Sequence, residues 1–228
     1  FARGQDTPTC AVALLWHHTG GLDELDCDDL LREFADRSLL RVDANPDTQR
    51  SVWLHDLLLD YAEALVDDPR YLNDQLLVAY GERCASGWAS GPNDGYFHQN
   101  LIHHLRIANK WPTIVTLLTS LDYIEAECKH ALTYHLISEY HLLIEQHRTR
   151  VSSGDVQRLT QFHAFVTEQA HILHLFPELT YQQAANHTAS FCLTGEIDGG
   201  QGGTEQPRRW IHHIKKKHDS VTPVLTIG

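Results

Sequence analysis

The chain has 228 residues, 42% hydrophobic and 21% charged, with a formal net charge of −12 at pH 7. That is ordinary globular composition, which excludes disorder of the whole chain and predicts one large domain or two small ones. There is no methionine and the first residues are Phe1, Ala2 and Arg3, so the chain reads as a piece of a longer protein.

Thr7 and Pro8 read as an N-cap and first helical residue, leading into an apolar helix from Cys10 to Trp16 that Gly20 and Gly21 stop. A second helix is predicted from Asp23 to Asp36, with Leu22, Leu25, Leu30, Leu31 and Phe34 at helical spacing on an acidic surface. The period then becomes that of strands: Ser38 to Asp43, a turn at Ala44-Asn45-Pro46-Asp47, and Ser51 to His55.

From Asp56, placed to cap the next helix, the chain turns helical again through Leu57, Leu58, Tyr61 and Leu65. Further helices are predicted from Asp68-Pro69 through Tyr80 toward Gly87, then over Tyr96 to Asn109, Trp111 to Ser120, Tyr123 to His130, Leu132 to His147, Gly154 to Leu175 and Pro177 to Ser190. Short joints between them suggest stacked helical pairs, as in an α-solenoid. A Gly-rich loop at 194–204, a short helix Pro207 to Lys217 presenting Trp210, Ile211 and Ile214, and a strand-like tail from Ser220 to Gly228 complete the reading. The fold class expected is mainly α: a winged helix over 1–65, an irregular helical domain over 66–218, and the start of a linker or propeller strand over 219–228.

Helix, helix and hairpin in this order make a winged helix, a fold that often binds DNA through its second helix. Here seven acids (Asp23, Glu24, Asp26, Asp28, Asp29, Glu33, Asp36) face only Arg32 and Arg37 between Leu22 and Arg37, and such a surface repels phosphate. No nucleic-acid partner is expected; a protein partner or plain solvation suits this helix.

No run of 18 apolar residues could span a bilayer and no secretory signal is present, so no membrane partner is expected. Five scattered cysteines (Cys10, Cys27, Cys84, Cys128, Cys192) without CxxC spacing indicate neither a disulfide framework nor a zinc knuckle, and a cytoplasmic setting fits best. The 17 histidines include the pairs His17-His18, His103-His104 and His212-His213 and the i,i+3 pair His171 and His174. Adjacent positions on a helix point about 100° apart, and the i,i+3 pair lacks an obvious third ligand, so no metal site is expected. No Gly-x-Ser-x-Gly, His-Glu-x-x-His or P-loop occurs, and the chain is not expected to be an enzyme.

His55-Asp56 is the constellation singled out. It lies where Val52-Trp53-Leu54 runs into a helix N-terminus, a place where main-chain N–H groups and the helix dipole favour an anion. Read on position alone, Asp56 caps the helix and His55 is a half-buried strand end.

Pro8 to Trp16, Leu30 to Leu40, and Trp53-Leu54-His55-Asp56-Leu57 followed by Asp60-Tyr61 resemble the winged-helix domain of apoptotic protease-activating factors and related signalling ATPases of the NB-ARC (STAND) class. Tyr96 to His104, Leu117 to Ile124 and Trp210-Ile211 resemble the helical domain that joins the ATPase core of those proteins to WD-repeat β-propellers. The Gly-rich loop departs from the shorter connection expected of the family. The resemblance implies that His55, in a Leu54-His55-Asp56 version of a Met-His-Asp-like motif, reaches the β-phosphate of ADP, with Asp56 as supporting helix cap.

It further implies a parent protein that takes ADP or ATP with magnesium and switches between closed and self-oligomerising, apoptosome-like states. Its partners would be its own nucleotide-binding core, its propellers and other proteins, and the isolated chain would bind nucleotide weakly or not at all. The rival reading is a free-standing α-solenoid adaptor with no nucleotide role.

Overall fold

The computed structural model describes residues 6–43, 50–66 and 68–187. The described residues are mainly α-helical, with one small antiparallel sheet.

The chain enters on β1 (Thr7–Pro8) and passes into α1 (Thr9–Gly20) and α2 (Glu24–Asp36). The sheet is completed by β2 (Arg41–Asp43) and β3 (Ser51–Trp53), in the order β1-β3-β2 with both pairs antiparallel. Thr7 and Pro8 are therefore a strand rather than the start of α1. Pro8, at φ −57° and ψ 138°, is extended, and a residue without an N–H is tolerated on an edge strand.

Local chemistry sets the helix ends. Gly21 takes the left-handed conformation (φ 68°) and donates to the His17 carbonyl, closing α1. Asp23 and Asp26 form a reciprocal capping box at the start of α2. Strand β2 begins later than the sequence suggests, because Ser38 (φ 58°) donates to Ala35 and Leu39 donates to Phe34. Residues 38 and 39 thus complete the helix end instead of pairing in the sheet.

Beyond the sheet come α3 (Asp56–Ala64), α4 (Pro69–Gly81), α5 (Phe97–Ile107), α6 (Trp111–Leu118), α7 (Leu121–Lys129), α8 (Thr133–Gln146), α9 (Ser153–Leu175) and α10 (Thr180–Asn186). From α4 to α9 each helix packs on the next, and α10 returns against α7 and α9. These consecutive contacts give the array its solenoid character.

Two cores result. Val12, Leu31 and Val52 form a small one, flanked by Trp16, Leu40, Val42 and Leu54. The large one runs from Leu76 to Ala184 through the helical array and includes Ala11 and Leu14 of α1. An apolar sequence on all sides lets α1 serve both, with Val12 toward the sheet and Ala11 and Leu14 toward α4. The winged helix and the helical array are thereby joined through one shared helix. The expected turn at 44–47, the Gly-rich loop, the helix at 207–217, the tail strand, His212-His213 and Cys192 lie outside the described residues.

Candidate functional site

The site is built on the outward face of the sheet. Arg41 lies opposite Trp53 in the β2–β3 register, and directly opposed residues of an antiparallel pair share a face. Val42 and Val52, one step along, belong to the small core, so strand alternation turns Arg41 and Trp53 outward. The Arg41 guanidinium sits 5.4 Å from the centroid of the Trp53 ring and 3.3 Å from Asp43. The His55 ring meets the indole edge-on at 5.8 Å between centroids and 83° between planes.

His55 is exposed and extended (φ −66°, ψ 140°) and is itself the N-cap of α3. Its Nδ1 accepts a hydrogen bond of 3.2 Å from the Leu57 N–H. This corrects the expectation that Asp56 is the cap. Asp56 occupies the first helical position, because β3 delivers the chain still extended at His55 and the helical dihedrals begin one residue later. Its carboxylate faces the positive end of the helix from within the first turn.

An imidazole that caps through Nδ1 must carry its proton on Nε2 when neutral. The ring therefore offers one N–H donor on the side away from the backbone, beside a helix N-terminus, with the indole that carries Arg41 as its neighbour. Such a donor set fits an anionic oxygen, and a phosphate in particular. Sequence reasoning missed Arg41 and Trp53. The two-residue spacing of Trp53 and His55 carried a signal, whereas the partnership with Arg41 depends on hairpin register.

Helix α3 buries none of its own side chains, and Leu57 (72% exposed), Tyr61 (64%) and Leu65 (67%) line up at i, i+4, i+8 along it. On α2 the arginines are matched by acids: Arg32 with Asp29 at 2.7 Å and Arg37 with Glu33. Arg50, from the loop before β3, pairs with Asp28 at 2.9 Å.

A second concentration of titratable groups is buried in the helical array. His98 Nδ1 faces Glu127 Oε1 at 2.9 Å and His98 Nε2 faces the Gly91 carbonyl at 3.4 Å, while His130 lies over His98 at 4.1 Å between ring centroids. Tyr123 also donates to Glu127, and burial beside that carboxylate pushes its phenol well up. His104 is bracketed by the Tyr96 hydroxyl at 2.8 Å and Asn73 Oδ1 at 2.6 Å, and burial lowers it to about 3. Burial also pushes the Glu139 carboxyl up, against the opposing pull of His135 and Arg106.

Of the histidine pairs, His17 Nδ1 meets the Leu22 carbonyl at 2.9 Å and His18 lies 3.9 Å from Glu82. His174 meets the Tyr134 ring at 5.5 Å between centroids, tilted by 50°. Among the described residues no group of three or more His, Cys, Asp or Glu side chains is gathered as metal ligands, and no helix is long and apolar enough to cross a membrane.

A winged-helix-like unit carrying an exposed Arg-Trp-His row, continued by a stacked helical array, places the chain among mainly α proteins with a solenoid-like array. The sequence profile of the APAF-1 helical domain matches residues 70–193, more than half of the chain, which belongs to that family. Three relatives share its sequence, all apoptotic protease-activating factor 1. The mouse protein is 27% identical over 219 residues (92% of this chain), the human one 25% over 170 residues (73%), and the zebrafish one 29% over 140 residues (58%). The matched regions are 16%, 13% and 10% of those relatives, so the chain spans a small part of their length.

Proposed function

We propose that this chain is the regulatory middle of an ADP/ATP switch protein. In this reading the winged helix closes over ADP held in a nucleotide-binding core outside the chain, and the helical array is an arm that places WD-repeat propellers. The observation that carries it is His55 at the start of α3, capping through Nδ1, with no hydrogen-bond partner for Nε2 among the described residues. The phosphate oxygens of a bound nucleotide would supply the negative charge that this donor reads, and magnesium would offset part of it. His55 holds a phosphate oxygen, Asp56 favours the helix start, and the exposed Leu57-Tyr61-Leu65 stripe offers apolar surface for a protein contact.

The chain performs no catalysis of its own in this scheme. Exchange of ADP for ATP weakens the closed arrangement, and the protein opens and self-associates in the cytoplasm. Sharing of α1 between the two cores lets a displacement of the wing be felt by the arm.

The test is His55→Ala in the full-length protein. Loss of one hydrogen bond to a charged group, about 1.5–3 kcal/mol, should loosen ADP retention at least about tenfold and shift the protein toward oligomer. Unchanged ADP retention with no shift toward oligomer overturns the role.

A further inference from the structure

Trp53 is a large aromatic side chain, 36% exposed, on the sheet face opposite the small core. Its ring contacts are the Arg41 guanidinium at 5.4 Å and the His55 imidazole, edge-on, at 5.8 Å. Arg41 is in turn held by Asp43 at 3.3 Å. Asp43, Arg41, Trp53 and His55 therefore make a continuous row along the outward face, ending at the Leu57 N–H that His55 caps.

A histidine at a helix start has two ways to lose its aim. The ring can turn about its side-chain bonds, or its proton can move to Nδ1, which abolishes the cap. The Leu57 N–H opposes both through one atom only, and a single bond on an exposed ring is easily exchanged for water. The indole supplies a second, flanking restraint. A T-shaped contact favours one ring plane over the others, because the positive edge of one ring meets the negative face of the other. Arg41 steadies the indole in turn by lying over it.

We propose that Trp53 is a positioning residue for His55: supported by Arg41, it holds the imidazole in the plane and tautomer that cap α3 through Nδ1 and present Nε2–H outward. This rests on the reading of His55 as a phosphate contact, and Trp53 acts through His55 without touching the nucleotide.

The experiment is nitrogen-resolved NMR of the His55 imidazole in this chain, alongside ADP retention in the full-length protein. Native His55 shows Nδ1 unprotonated. Trp53→Leu reduces the tautomer preference roughly 2- to 10-fold, the range set by an aromatic pair, and loosens ADP retention, while Trp53→Tyr restores both. Arg41→Gln, which leaves every core side chain in place, moves both readouts the same way by less, and it serves as the probe if Trp53→Leu does not fold. A tautomer ratio that neither Trp53→Leu nor Arg41→Gln changes overturns the proposal, whatever His55→Ala does. A shifted ratio in a protein whose ADP retention is insensitive to His55→Ala upholds the positioning contact and overturns the phosphate reading instead.

Discussion

The small core between α1, α2 and the sheet is mostly apolar, with Val12, Leu31 and Val52 as its cluster and Thr7, opposite Val52, as a buried polar neighbour. The large core of the helical array is threaded with polar groups: His98, Asn100, His104, Thr119, Glu127, Thr133 and Thr180 are all buried there. The difference teaches where each region gets its definition. A three-residue apolar core tolerates shifts of packing, which suits a unit that carries its chemistry on an exposed face. Buried polar pairs accept only the one arrangement that satisfies them, which suits an arm that must keep its shape.

The largest expected effect is in the array. Glu127→Ala leaves His98 and Tyr123 without their buried acceptor and should cost about 3–5 kcal/mol, read by urea denaturation. Leu31→Ala, in the small core, should cost about 2–5 kcal/mol. If the two cores differ in robustness as described, hydrogen exchange of the α2 and β3 amides in Leu31→Ala will report loss of the wing at lower urea than the far-ultraviolet helix signal. Coincident transitions would show that α1 binds both cores into one cooperative unit, and the contrast would fail.

The last effect is absent at neutral pH and develops only on acidification. His104 is held neutral in the fold, lowered by burial to about 3, whereas the unfolded chain takes up its proton near the usual 6.5. Its contribution to stability is therefore present above about pH 6.5 and is lost progressively as pH falls toward about 3. Burial lowers His103 and His130 in the same sense. Thermal denaturation should show melting temperature declining across that window, and His104→Gln, a neutral side chain able to meet both Tyr96 and Asn73, should flatten the decline.

Much of the helical array was legible. Pro69 and Pro112 in first turns and apolar spacing along α4 to α9 each placed a helix within a few residues of its position in the structure. The candidate site was legible only in part. Asp outranks His as a cap on propensity, so Asp56 drew the assignment, yet the dihedrals at the end of β3 placed His55 there instead. Likewise Ser38-Leu39 read as strand because Leu39 and Leu40 are apolar, while the completed helix end claimed their N–H groups. The grouping of the buried His98 and Glu127 with the half-buried His130 had no signal, since residues 98 and 127 are 29 apart and nothing local records that separation.

Most helices and their polarity could be read from the amino acids alone: the breakers, the apolar faces and the Leu54-His55-Asp56 junction are local, and local chemistry decides them. That α1 is shared by two cores and that Arg41 lies over Trp53 were settled by the folded arrangement alone. Each of these needs groups brought together by strand register or helix packing, and register depends on which face is buried, a property of the whole fold rather than of any segment.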